Sequence, residues 1–74
     1  MYEATLKFEC INTEFIKKSL EPDAENSENI KTEINAGNGI LEIEIKAEKI
    51  SHLKAVINSY ISLVKMLIEA EKIS

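Results

Sequence analysis

The stretch that most limits what this chain can become is its last third, Ile50 to Lys72. It carries no Gly or Pro, and its apolar residues recur at helical spacing. At about 100° per residue, Leu53, Val56, Ile57, Tyr60, Ile61, Leu63, Val64, Leu67 and Ile68 share one broad arc. Lys54, Asn58, Ser62, Lys65, Glu69 and Lys72 lie opposite, with a margin of small or soft residues, Ala55, Ser59, Met66 and Ala70, between the two faces. Such a helix is roughly 35 Å long at 1.5 Å per residue. A domain of this size has a radius of gyration of only roughly 11 Å. Its own domain therefore covers part of the arc, and the remainder is expected to meet a partner.

Before that helix the pattern has period two. Tyr2, Ala4, Leu6 and Phe8 alternate with Glu3, Thr5, Lys7 and Glu9, as in a half-buried strand. Asn12 or Thr13 is a suitable N-cap for a short helix that groups Ile11, Phe15, Ile16 and Leu20, with Lys17 and Lys18 outward. Pro22 is expected to end it by pushing the preceding residue out of the helical region. The acidic, apolar-poor segment 22–29 has nothing to bury and is expected to be a mobile, dispensable loop.

Ile30 to Ala36 and Leu41 to Ala47 alternate again, around Gly37-Asn38-Gly39. Asn-Gly is the strongest short hairpin signal. A two-residue turn there sets Ala36 opposite Leu41, Ile34 opposite Ile43 and Thr32 opposite Ile45, so every apolar residue falls on one face. A slip of one residue would set Ile34 against Glu42.

The expected architecture is thus a single α+β domain over residues 1–74, with two layers and element order β-α-β-β-α. The sheet is three-stranded and antiparallel, in the order 1-3-2, with both helices on its apolar face.

Composition narrows the function. Seventy-four residues with a single cysteine, Cys10, allow neither an internal disulfide nor a zinc cluster, so oligomerisation is the expected extra source of stability. The chain opens Met-Tyr-Glu with no basic-then-apolar leader, and its longest uncharged run is too short for a bilayer. A cytoplasmic protein with no membrane contact is expected. The net charge is −4 and all nine basic residues are Lys, which argues against an autonomous nucleic-acid binder. The weight of Glu, Lys and Ile fits hyperthermophile composition, and equally an AT-rich genome.

Three segments, in this order, resemble a known family. They are Leu20-Glu21-Pro22-Asp23, then Gly37-Asn38-Gly39-Ile40-Leu41-Glu42-Ile43, then Leu53 to Leu63 with Asn58-Ser59-Tyr60 at its centre. Together they are similar to the small CTAG-type subunit of the KEOPS (EKC) complex, the polarised-growth chromatin controller family, and an archaeal source goes with that likeness. The resemblance implies a non-catalytic subunit without cofactor or metal. It implies a homodimer that binds, through its helices, the helical N-terminal part of the threonylcarbamoyl-transferase subunit. That assembly installs threonylcarbamoyladenosine next to the anticodon of tRNA. Partner-binding residues on this expectation are Leu53, Val56, Ser59, Tyr60, Leu63, Met66, Leu67 and Ala70. Lys54, Asn58 and Lys65 are candidate tRNA contacts through the complex. The lack of Arg departs from the pattern, because Lys offers a point charge rather than a bidentate fork.

Each of these residues also has a plainer reading. Tyr60 is equally suited to the core, and the lysine stripe to a solvated helix face. His52 has no ligand or base at useful spacing and reads as solvated; Cys10 reads as a small buried hydrophobe. Glu42 and Glu44 stand two apart on an exposed strand and read as solubilising charge, not as a catalytic pair. Without a nucleophile–base pair or phosphate-cradling loop, an enzyme is not expected. The alternative is an independent KH-like RNA-binding module, which wants a G-x-x-G loop between helices and a basic groove. Gly37-Asn38-Gly39 is a hairpin turn instead, and the chain is acidic.

Overall fold

Asn38 and Gly39 turn the chain in the left-handed region, with φ of 52° and 76°. In the computed structural model, which describes residues 1–23 and 26–73, this turn joins β2 (Ile30–Gly37) to β3 (Ile40–Ala47). The register is Ala36↔Leu41, Ile34↔Ile43 and Thr32↔Ile45, as turn chemistry and alternation require. β1 (Tyr2–Glu9) pairs antiparallel with the other side of β3, setting Ala4, Leu6 and Phe8 against Ile45, Ile43 and Leu41. The sheet order is β1-β3-β2.

Two helices complete the β-α-β-β-α order: α1 (Thr13–Leu20) and α2 (Ile50–Ile73). α1 lies against β2 and β3, α2 against β3 and β1, and the helices touch each other. The central strand is therefore covered twice. Leu41, Ile43, Ile45 and Ala47 are fully buried, whereas Ala4, Leu6, Phe8, Ile30 and Ala36 on the edge strands are only partly so. The other sheet face is charged. Across β1 and β3 opposite charges meet, Lys7 with Glu42 at 3.7 Å and Lys46 with Glu3 at 3.5 Å. Across β2 and β3 like charges are paired, Lys31 with Lys46 and Glu33 with Glu44.

α1 departs from its expected details. Asn12 is the N-cap, its Oδ1 accepting from Phe15 N–H at 3.4 Å. Only Ile16 and Leu20 of the expected apolar group are buried, joined by Thr13. Ile11 precedes the first turn and is wholly exposed, and Phe15 points partly outward. Pro22 does not displace Glu21, which keeps helical angles of φ −53° and ψ −42°. Instead the chain tightens into a 3-10 turn, Glu21–Asp23. Proline suits a first turn because its missing N–H has no partner to satisfy there.

The segment after it is also less idle than its composition implies. Ser27 Oγ accepts from Ile30 N–H at 3.2 Å, and Ser27 N–H donates to the Ile30 carbonyl at 2.8 Å. Asn26 Oδ1 accepts from Thr32 N–H at 3.2 Å. Residues 26–29 thus cap the outer edge of β2. Ala24 and Glu25, also part of the expected loop, lie outside the described residues.

The long helix dominates the shape. The protein measures 38 × 20 × 18 Å, and 24 residues of α2 account for about 36 Å.

Candidate partner-binding face

α2 divides the expected partner-binding residues into three groups. Leu53, Val56 and Tyr60, with Val64, form the stripe that seats the helix on the sheet, and Tyr60 retains only 3% of its exposure. These three are committed to the chain's own core. Leu63 and Leu67 are half-buried at the margin. Ser59, Met66 and Ala70 are exposed, Met66 to 59%.

The exposed group is contiguous. At 100° per residue, Ala55, Met66, Ser59 and Ala70 fall within about 60° of one another. They make one flank of small and soft side chains along the helix. A flank of this kind lets another backbone approach closely, and Met adapts its shape to what it meets.

Along its first half this flank becomes the wall of a groove of about 280 Å³, lined by Ile30, His52, Ala55, Val56, Ser59, Tyr60 and Leu63. The groove lies on the β2 side of α2. No α1 residue lines it, because eight residues of helix reach only about 12 Å, short of the eight-residue strand beneath. Ile30 and His52 were not expected here. Nothing in the periodicity of either element says which strand end adjoins which helix flank. His52 is half-buried rather than solvated, and its Nδ1 is buried without a hydrogen-bond partner among the described residues.

The lysine stripe sits elsewhere. Lys54, Asn58 and Lys65 are exposed on the far side of α2, their centre rotated by roughly 110° from that of the small-residue flank, with Asn58 about 60° from Ala55. Lys72, the last member expected, lies outside the described side chains. A groove variant and a stripe variant therefore test different surfaces.

Elsewhere, the Cys10 thiol is half-buried and directed at the Phe8 carbonyl, 3.8 Å away. Among the described residues no three His, Cys, Asp or Glu side chains come together, and no helix is long and apolar enough to cross a membrane.

A family model described as Transcription factor Pcc1 matches residues 2–70, from the first strand through all but the end of α2. No curated protein matches the chain.

Proposed function

The chain belongs to the Pcc1 family, the small-subunit family of the KEOPS (EKC) complex, and on that premise we propose that it is the complex's non-catalytic scaffold. It dimerises, and each copy receives a helix of the threonylcarbamoyl-transferase subunit along the small-residue flank of α2. It contributes no reacting group to the synthesis of threonylcarbamoyladenosine. The work takes place in the cytoplasm, and tRNA reaches the protein through the complex, with Lys54, Asn58 and Lys65 as the nearest candidates for phosphate contact.

One observation carries this reading. The groove beside Ala55 and Ser59 continues into the exposed flank of Met66 and Ala70, giving a helix-length apolar track that this domain leaves uncovered. Helix-in-groove recognition uses such a track. Patches of this kind on a soluble domain mark interaction sites. Purification of the native, untagged-neighbour complex followed by mass spectrometry tests it. Recovery of the transferase subunit in stoichiometric amount is expected; recovery of RNA with no protein partner would favour the RNA-binding module instead.

A further inference from the structure

The groove beside α2 has an imidazole in its wall. His52 is half-buried there, and its Nδ1 is sealed from solvent with no hydrogen-bond partner among the described residues. A neutral imidazole carries a proton on one nitrogen and a bare lone pair on the other. In folded proteins a buried N–H without an acceptor is rarer than a buried acceptor without a donor. Burial therefore assigns the lone pair to Nδ1 and the proton to Nε2, the nitrogen that is not sealed. The ring offers the groove a single donor.

Its position on the helix gives that donor a direction to specify. At 100° per residue His52 falls in the same sector as Ala55, Ser59, Met66 and Ala70, as the first member of that flank. His52, Ser59 and Met66 follow at seven-residue spacing, the repeat by which one helix meets another along a seam. Along the seam the chemistry runs from imidazole through hydroxyl to thioether and methyl. From His52 to Ala70 is roughly 27 Å. A helix laid along it finds a hydrogen-bonding group at one end and apolar contact at the other. Reversed, or slid by one turn of roughly 5 Å, it would cover the Nε2–H without pairing it. A single polar group at such a seam fixes register in paired helices. Ile30, Val56 and Leu63 keep the surrounding wall apolar, which suits a helix side chain better than a sugar–phosphate chain.

We propose that His52 sets the orientation and register of the partner helix, its Nε2–H donating to a side-chain oxygen of that helix, a carboxylate or an amide carbonyl. The oxygen sits at the N-terminal end of α2, and small apolar residues of the same helix follow over Ala55, Ser59 and Met66. This rests on the reading above that the flank receives the transferase subunit, and adds to it a polar contact and a direction. His52 is a positioning residue and touches no reacting group.

The test separates donating from filling space. His52→Leu and His52→Gln are made in the full chain, and affinity for the transferase subunit is measured by isothermal titration calorimetry. His52 stands outside the core cluster, so both variants should fold, with circular dichroism as the check. Leu fills the position and donates nothing, leaving the partner's oxygen unpaired; it should bind about ten-fold more weakly than the parent. Gln restores a side-chain N–H near the place of Nε2 and should recover most of that loss. A residue that only fills space would give the reverse order, with Leu at least as good as His and Gln the weakest. Parental affinity for the Leu variant, or a Gln variant no tighter than Leu, would overturn the role of His52 while leaving the scaffold standing. A parent chain that does not bind the transferase subunit would overturn both.

Discussion

The two sides of α2 face the two edges of one sheet, and they are prepared for different company. On the β2 side the strand edge is closed by the side chains of Asn26 and Ser27, and the apolar surface is a groove beside small residues. On the β1 side the edge is open, its outward face carries Glu3 and Lys7, and the nearby helix surface is branched and bulky at Ile61. A closed edge beside a groove suits a helix, whose backbone bonds are already made. An open edge suits a strand, whose bonds are not. In a domain this small, one sheet and one long helix thus offer two chemically distinct surfaces without a second core.

The most severe way to break the comparison is to remove what both sides share. Ile43 is fully buried at the middle of the central strand. Ile43→Ala should cost about 2–5 kcal/mol, a large share of the stability of a 74-residue domain. Urea unfolding followed by circular dichroism measures it, and both surfaces should be lost together. Gly39→Ala comes next. The added methyl would meet nothing closer than the Cys10 carbonyl at 3.6 Å, so its cost is the left-handed backbone at φ +76° rather than a clash. About 1–2 kcal/mol is expected in the same experiment.

Asn26→Ala sharpens the contrast between the edges. It frees the Thr32 N–H at the closed edge, for a cost of about 1 kcal/mol. Amide exchange at Thr32 should accelerate, while exchange at Leu6, paired inside the sheet, should change only as far as global stability does. Smallest of all should be Lys54→Glu with Lys65→Glu. Both residues are exposed, and the melting transition should move by no more than about 0.5 kcal/mol equivalent per site.

The strand register was legible because two independent signals coincided. Asn38-Gly39 named the turn, and the alternation around it allowed one pairing only. The length and apolar arc of α2 were equally readable, being periodic. What periodicity does not encode is which sector of an arc the domain itself covers. Leu53, Val56 and Tyr60 sit in the same stripe as Val64 and went to the core; Ser59, Met66 and Ala70, one step round the helix, did not. The caps on β2 were illegible for a related reason. Asn26 and Ser27 act through single side-chain-to-backbone bonds across a turn, and a polar, acidic segment looks the same with or without them. The rule that a residue before proline leaves the helical region fails at Glu21, because a 3-10 turn accepts Pro22 while leaving Glu21 helical.

In the proposed scaffold, the small-residue flank of α2, and not its lysine stripe, receives the transferase subunit. Ser59→Arg with Met66→Glu puts bulk and charge on exposed positions of that flank without touching the buried stripe. Desolvating an unpaired charge at an interface costs several kcal/mol, enough to abolish ordinary affinity. Lys54→Glu with Lys65→Glu alters the other surface, where the expected consequence is a weaker, less salt-sensitive contact with tRNA. Both double variants are run over gel filtration with the transferase subunit, with circular dichroism as the check on folding. Loss of co-elution for the flank variant, with the lysine variant still bound, is the predicted result. A folded flank variant that co-elutes normally, alongside a lysine variant that does not, would contradict the assignment.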